Sequence, residues 1–338
     1  IVNAARGVGA RIKTGQLVIL QSTTHPGTTE EDVLPILEER SGLKAGKDFY
    51  LAFCPERSNP GDAKFGVENT PKVVGGLNPE STNVAAALLG AMGAPVHTVS
   101  SPRTAEMAKL LENTFRSVNI ALVNELAKLC ERMDIDIWEV IDAASTKPFG
   151  FMPFYPGPGV GGHCIPIDPF YLSWKARELD FYTHFIELAA EVNQSMPTHT
   201  VDKVIKALGS RRKSLAGSKV LVLGVAFKKD IDDSRNSVAE RIILQLLNHQ
   251  AEVVYNDPYV PVYDVGAETR RSGCIEMHSV ELTYSLLAGV DCVLIVTGHS
   301  QYDYQHIVDT ASLVVDSCNA TKRVTAAEGR IFKVGRPN

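Results

Sequence analysis

The chain has 338 residues, enough for two domains with separate cores, and its 44% hydrophobic and 22% charged residues are ordinary for a water-soluble globular protein. A net charge of -5, with Arg211-Arg212-Lys213 as a short basic run suited to a helix end and a solvated loop, argues against a nucleic-acid partner. No apolar run reaches membrane-spanning length and no secretory pattern opens the sequence, so neither a membrane anchor nor export is expected.

Six cysteines, at 54, 130, 164, 274, 292 and 318, show no Cys-x-x-Cys and no zinc spacing. No metal site is expected, and a reducing, cytoplasmic compartment is the simplest setting. The chain starts at Ile1 inside an amphipathic helical pattern and reads as a fragment.

In chain order, residues 1–12 are helical in pattern, 17–21 form a short buried strand and 28–40 are helical again. Strands follow at 49–53, 72–74 and 96–99, with a helix at 79–92. This alternation predicts a parallel α/β sheet with helices on its faces. One long helix runs from 103 to 133. Met107, Leu110, Leu111, Phe115, Val118, Leu122, Leu126 and Leu129 recur at three- and four-residue spacing, a stripe expected to face a core. Helices are also expected at 137–144, 169–179 and 186–208, the last kinked or broken at Pro197. A second α/β unit begins with a strand at 219–224, a helix at 238–248 and a strand at 252–257, and continues with strands at 291–296 and 313–316. The fold class is therefore α/β: two Rossmann-like parallel-sheet units joined by a long central helix and a helical middle domain.

Ser22 and Thr23 follow the first strand directly, where open α/β sheets bind ligands, and their hydroxyls suit phosphate or ribose. Thr28 or Thr29 is expected to cap the next helix. Glu56, in Cys54-Pro-Glu-Arg57, closes another strand and should share that sheet edge. Lys109 and Asn113 lie four apart on the long helix, with Arg116 and Asn124 continuing the face; a cation beside an amide suits an oxyanion, or is simply a solvated face.

The stretch Pro156-Gly-Pro-Gly-Val-Gly-Gly-His-Cys-Ile-Pro-Ile-Asp168 sets one thiol, Cys164, on a glycine-crowded loop with a carboxylate four residues on. Glycine there permits positive φ and close approach of a substrate or another backbone. On these residues alone Cys164 is either a nucleophile or a structural thiol. Further on, the strand at 219–224 leads through Gly224 into a loop with Lys228, Asp230 and Arg235, and Asp257 follows the next strand. This is half of a nucleotide-binding pattern without G-x-G-x-x-G, in which Lys228 and Arg235 suit a pyrophosphate.

Taken together, Cys164 in GVGGHCIPIDP, Glu56 in CPER, Lys109 with Asn113 in KLLEN, and Phe227, Lys228 and Arg235 in GVAFKKDIDDSR stand in the order found in the nucleotide-sugar 6-dehydrogenases, which include UDP-glucose and GDP-mannose dehydrogenases. The resemblance covers nearly the whole chain. His163 and Pro166 in YPGPGVGGHCIPIDPFYL make it most similar to the branch acting on UDP-N-acetylhexosamines; the UDP-glucose branch usually has Ser before the cysteine and Lys before the aspartate.

The resemblance implies oxidation of a sugar C6 alcohol to a carboxylate with NAD+, through a thiohemiacetal and a thioester on Cys164. It makes Lys109 and Asn113 stabilisers of the C6 oxyanion, Asp168 a carboxylate near the reacting centre and Glu56 the base for the hydrolytic water. Ser22, Thr23 and Arg235 become cofactor contacts, and Thr23 also touches the reacting water. Tyr155, Gly157 and Gly161 belong to a loop over the sugar, and Phe227 and Lys228 to substrate contacts. Residues 1–101 are then the C-terminal half of a truncated NAD-binding Rossmann-like domain, 102–210 a central helical domain that dimerises through the 103–133 helix and carries the cysteine loop, and 211–338 a UDP-binding Rossmann-like domain. UDP-N-acetylglucosamine is the preferred substrate, with UDP-N-acetylmannosamine, UDP-glucose or a non-oxidative nucleotide-sugar binder as alternatives; the implied role is bacterial surface polysaccharide synthesis.

Two departures from the family pattern stand out. No G-x-G-x-x-G precedes the first strand, so the first half of the NAD-binding domain, ~100 residues, is expected to be missing and activity to be low. The second is Asp316-Ser-Cys-Asn319, where relatives often have Arg at the position of Cys318; Lys322 or Arg323 is placed to compensate.

Overall fold

A computed structural model describes residues 1–58, 65, 66, 68–267, 273–325 and 329–337. The chain forms two compact units, one of Ile1–Phe115 with Ile167–Thr183, the other of Arg116–Pro166 with His184–Asn338.

The first unit opens with α1 (Val2–Gly9) and β1 (Leu17–Leu20), followed by a π-helical turn (Thr29–Val33) that runs into α2 (Leu34–Ser41). β2 (Tyr50–Phe53), β3 (Lys72–Gly76), α3 (Pro79–Ala91), β4 (Val96–Thr98) and the start of α4 (Pro102–Met133) come next. The sheet order is β1-β2-β3-β4. It is not wholly parallel as expected: β1 and β2 are parallel, as are β3 and β4, but β2 and β3 are antiparallel. Among the described residues between β2 and β3 there is no helix, and strands joined without a crossover helix pair antiparallel. β3 also runs two residues further than predicted. A Cβ on Gly75 would stand 2.1 Å from the Ser101 carbonyl oxygen and one on Gly76 2.3 Å from Thr82 N, so these glycines admit the starts of α4 and α3 rather than ending the strand.

α4 is continuous over 32 residues, but its apolar stripe does not face a core. Leu110 is buried, whereas Met107, Leu111, Phe115, Leu122, Leu126 and Leu129 are exposed. The buried face carries mainly small and polar residues instead: Ala105, Glu106 and Asn113 in the first unit, Ser117, Ala121, Asn124 and Ala127 in the second, where Val123 and Cys130 also join an apolar cluster with residues 137, 138 and 141. Their short side chains allow close packing, and the polar ones find partners.

α5 (Ile137–Ala144) follows in the second unit, α6 (Asp168–Arg177) returns to the first, and α7 (His184–Ser210) is again in the second. α7 runs through Pro197 without a break. β5 (Lys219–Leu223), α8 (Val238–Asn248) and β6 (Glu252–Asn256) match the expected unit closely. An antiparallel pair β7 (Val262–Val265) and β8 (Ile275–His278), then α9 (Tyr284–Gly289), β9 (Cys292–Ile295), α10 (Tyr304–Thr310), β10 (Val314–Asp316) and β11 (Ile331–Lys333) complete it. β5, β6, β9, β10 and β11 form one parallel sheet in the order β11-β10-β9-β5-β6.

Both faces of this sheet are covered. Val220 and Val222 of β5 join a core with Val204 and Leu208 of α7 and Ile242 and Leu246 of α8. The intervening Leu221 and Leu223 join another with Leu287 of α9 and Ile307 of α10. This alternation on a sheet buried on both sides is the doubly wound arrangement. Its strand order reverses between β5 and β9, the place where such sheets bind ligands. At that point Gly224 (φ +82°) has no room for a side chain, since a Cβ would lie 2.5 Å from both the Thr297 carbonyl oxygen and its Cβ. Gly224→Ala is expected to destabilise the chain by about 3 kcal/mol, through clash and left-handed strain together. Urea unfolding checks this, and an unchanged midpoint would contradict it.

Candidate active site

In the first unit, β1 and β2 are parallel, so the residues after them share one sheet edge. Ser22 is exposed there and Thr23 half-buried. The buried hydroxyl of Thr24 has no hydrogen-bond partner, an open donor and acceptor at the edge where a nucleotide cofactor would lie. Neither Thr28 nor Thr29 caps the next helix as expected: Thr28 Oγ1 donates to the His25 carbonyl oxygen, and the cap comes from Glu106 of α4. The buried Glu106 carboxylate accepts from Gly27 N (2.6 Å), Thr29 N (2.9 Å) and Thr29 Oγ1 (2.7 Å). A partner 77 residues away along the chain leaves no local capping pattern to read.

Glu56 is exposed beyond β2. Its carboxylate accepts from Arg57 N and Ser58 N and pairs with Lys72 at 3.4 Å. Partial burial pushes its pKa up, but the hydrogen bonds from Ser58 and Arg57 and the Lys72 charge outweigh that and hold it at about 2. A carboxylate held so low is a weak base until those N–H groups release it. Lys109 Nζ donates to the carbonyl oxygen of Glu56, not to its carboxylate, at 2.5 Å.

Asn113 and Asp168 are both buried, and Asn113 Nδ2 donates to Asp168 Oδ2 at 2.7 Å. Burial raises the Asp168 pKa to about 6, against the opposing pull of the Asn113 hydrogen bond and the Lys109 charge. A carboxyl titrating there gives and takes protons near neutral pH. The first unit thus gathers Glu56, Lys109, Asn113 and Asp168. Arg116 and Asn124, placed on the same helix face by spacing, belong to the second unit, where Arg116 is exposed and Asn124 buried.

In the second unit Cys164 is an exposed thiol. The loop before it is seated on the 227–238 segment. Gly162 N donates to the Asn236 carbonyl oxygen (3.2 Å), and a Cβ on Gly162 (φ +85°) would press on the Phe227 ring at 3.0 Å. A Cβ on Gly161 would meet the Asn236 carbonyl oxygen at 3.0 Å, so Gly161 and Phe227 lie against each other. Gly157 has open space around it and donates its N–H to Asn124 Oδ1. Tyr155 stacks on Trp138 of α5 (5.8 Å, 13°) and donates to Asp142.

His163 Nδ1 accepts from Asn236 Nδ2 (3.2 Å), and its Nε2 lies 3.7 Å from Asp233. Arg235 donates to both Asp233 oxygens, from Nε at 2.9 Å and Nη2 at 2.7 Å, and holds the Asp233 pKa down at about 2.

At the β5/β9 switch the same unit has a cavity of about 790 Å³, lined by Phe227, Lys228, Lys229, Thr297, Lys322 and Arg323 among others. Four cations beside the carboxyl ends of parallel strands suit a diphosphate. Cys318 lines the same cavity, with Lys322 and Arg323 nearby in sequence. The turn that carries it is tied by the buried Asp316 carboxylate, which accepts from Cys318 N, Ala320 N and Thr321 N. Asp257 is not available to a ligand: its carboxylate accepts from Val225 N, Ala226 N and Tyr259 N and meets His299 Nε2 at 3.0 Å.

Three sequence profiles match in the same order as these parts: the NAD binding domain of the UDP-glucose/GDP-mannose dehydrogenase family over residues 1–92, its central domain over 103–195 and its UDP binding domain over 221–323. A UDP-N-acetyl-D-glucosamine 6-dehydrogenase of Pseudomonas aeruginosa is 41% identical over 78% of this chain and 62% of its own length. Protein CapL of Staphylococcus aureus is 37% identical over 94% of this chain and 74% of its own length. The chain belongs to the UDP-glucose/GDP-mannose dehydrogenase family.

Among solved structures, a UDP-D-ManNAc dehydrogenase from Pyrococcus horikoshii superposes with a TM-score of 0.86 at 31% identity, covering 99% of this chain and 76% of that one. The chain thus spans under two thirds of the P. aeruginosa relative and about three quarters of the other two. The family's NAD binding domain is present at residues 1–92, and that match does not support the expectation of a missing first half.

The raised pKa of Asp168 makes stability depend on pH. Between the ordinary 3.8 and about 6, the folded chain holds a proton that the unfolded chain has lost. Stability contributed by this group is therefore present at low pH and falls as pH rises through that window, by roughly 2–3 kcal/mol. Asp168→Asn is expected to remove this slope in urea unfolding measured from pH 4 to 7; an identical slope in both chains would contradict it.

Proposed function

We propose that this chain is an NAD-dependent UDP-N-acetylhexosamine 6-dehydrogenase acting on UDP-N-acetyl-D-glucosamine. The observation that carries this reading is the buried Asn113–Asp168 pair with Lys109 as its charged neighbour, an oxyanion and proton-transfer group that titrates near neutrality. The 41% identity to a UDP-N-acetyl-D-glucosamine 6-dehydrogenase supports the choice of sugar.

When bound, NAD+ supplies the hydride acceptor, with Ser22, Thr23 and Arg235 as its contacts; the unpartnered Thr24 hydroxyl at the same edge as Ser22 and Thr23 fits a polar ligand. As C6 is oxidised, Lys109 and Asn113 stabilise the oxyanion and Asp168 receives the proton. The Cys164 thiolate then adds to the aldehyde carbon as a thiohemiacetal, and a second oxidation gives the thioester. Covalent capture keeps the aldehyde bound between the two steps. Glu56, once released from Arg57 and Ser58, takes a proton from the water that hydrolyses the thioester.

The uridine diphosphate occupies the cavity at the β5/β9 switch, with Lys228 on its phosphates and Phe227 beside the substrate. Tyr155, Gly157 and Gly161 shape the loop over the sugar. The product serves bacterial surface polysaccharide, capsule or O-antigen. The compartment is cytoplasmic, in keeping with six cysteines that form no disulfide; no helix among the described residues is long and apolar enough to cross a membrane.

Purified protein given UDP-N-acetylglucosamine and NAD+ is expected to form two NADH per sugar, followed at 340 nm, and to prefer this sugar to UDP-N-acetylmannosamine and UDP-glucose. Cys164→Ser replaces the thioester by an ester with a poorer leaving group, so it should stall late and accumulate a covalent adduct visible by mass spectrometry. Full turnover by Cys164→Ser would remove the thiol from the mechanism, and nucleotide-sugar binding without any NADH would favour a non-oxidative binder.

The apolar residues exposed along α4, among them Leu122, Leu126 and Leu129, support a homodimer through this helix. Leu122→Glu with Leu126→Glu is expected to halve the mass measured by light scattering, and an unchanged mass would place the interface elsewhere.

A further inference from the structure

Two buried amides link the long helices of the second unit to the loop that carries Cys164. Asn124 of α4 is fully buried and Asn193 of α7 is 6% exposed. Gly157 N donates to Asn124 Oδ1 (3.0 Å), Asn124 Nδ2 donates to Asn193 Oδ1 (2.9 Å), and Asn193 Nδ2 donates to the Ser117 carbonyl oxygen (3.1 Å). The direction of this relay is set from both ends. A backbone N–H can only donate, so Asn124 must offer its oxygen to Gly157; a backbone carbonyl can only accept, so Asn193 must offer its nitrogen to Ser117. The two amides then meet nitrogen to oxygen with no freedom to flip.

A second contact fixes the same stretch. Pro197 has no N–H, so the Asn193 carbonyl oxygen lacks its usual partner one turn on. A Cβ on Gly159 (φ +130°) would stand 3.3 Å from that oxygen and 3.3 Å from Pro197 Cδ. The loop is thus held by α4 through the Asn124 amide at Gly157 and by the α7 backbone at Gly159, while Gly161 and Gly162 rest on the Phe227–Ser237 side.

We propose that Asn124 and Asn193 are positioning residues for the Cys164 loop, acting in series as one relay from the Ser117 carbonyl to the Gly157 N–H. Neither is assigned a contact with substrate; their role is to hold the peptide seven residues before the thiol. The inference rests on the reading of Cys164 as the nucleophile, but its test does not require turnover.

The probe is iodoacetamide, with labelling at each cysteine quantified by mass spectrometry across pH in the full chain. Exposed Cys274 and buried Cys292 are internal controls for surface and fold. Asn124→Ala is expected to change the Cys164 alkylation rate roughly ten-fold, the scale of an unmade buried hydrogen bond, and to move the pH at which it is half-maximal. Cys274 should be unaffected and Cys292 unreactive. Asn193→Ala should do the same, and the double variant should be no worse than the worse single one.

The pair Asn124→Leu with Asn193→Leu removes both amides without leaving one buried and unpaired, and it is the variant to read if an alanine exposes Cys292. Additive effects of the two alanines would overturn the relay, as would Cys164 labelling within about two-fold of wild type in the leucine pair. In turnover, kcat should fall with the KM for NAD+ unchanged. If Cys164→Ser proves fully active, the reading of the thiol fails while the labelling result still judges the relay.

Discussion

The cysteine loop depends on contact between backbone and its neighbours with no side chain between them. Gly161 and Gly162 lie against Phe227 and the Asn236 carbonyl, and Gly159 lies against Val238 and the Pro197 turn of α7. Gly159 and the Gly161–Gly162 pair answer to different neighbours, so a side chain at one place would lift a different part of the loop than at the other. The glycines at 159, 161 and 162 are thus a packing requirement first, whereas Gly157 has open space around it. Presentation of Cys164 follows from it, because the stretch before the thiol is held from the α4/α7 side at Gly157 and Gly159 and from the 227–238 segment beyond.

The carboxylates divide by the same logic of local partners. Glu56 and Asp233 are held at about 2 by backbone N–H groups and neighbouring cations, whereas Asp168, buried with one amide partner, rises to about 6. Environments that push titratable groups apart assign roles. Asp168 suits proton exchange near neutral pH. Asp233 is committed to Arg235, and Glu56 is a weak base while its hydrogen bonds from Arg57 and Ser58 hold. Lys109 serves two of these groups in the first unit, through the Glu56 carbonyl and through its charge on Asp168.

What was legible in the sequence had local causes. The helices at 137–144 and 238–248, the strands β5, β6, β9 and β10 of the second sheet and the glycine loop all follow from periodicity, caps or close approach within a few residues. What was not legible needed a partner far along the chain. Glu106 caps a turn 77 residues away, and nothing near Thr29 announces it. Asn193 looks like an ordinary polar residue in a helix until Asn124 and Ser117 are placed beside it. The α4 stripe had the right period but the wrong side: its buried face is recognised by small residues and by polar ones with partners, which a count of hydrophobic residues reads as surface. Short elements such as β7, β8, α9, α10 and β11 carry too few residues for periodicity to mark them.

The loops beside the cavity at the β5/β9 switch show how far such non-local partners reach. Asp230 N donates to His299 Nδ1 at 2.9 Å, so that nitrogen must carry a lone pair, and Nε2–H is left to donate to Asp257. Asp257 also accepts from Val225, Ala226, Tyr259 and Val260 N, and the Asp230 carboxylate takes Ser300 N and Oγ. Burial works against the charge on Asp257, but the hydrogen bonds from His299 and the backbone outweigh it and keep its pKa below the usual range. The acidic residue that a nucleotide-binding pattern would offer to a ribose is therefore spent on the loops after β5 and β9. The cations Lys228, Lys229, Lys322 and Arg323 line the cavity beside that network and outnumber Asp303 in its lining, so positive charge prevails there.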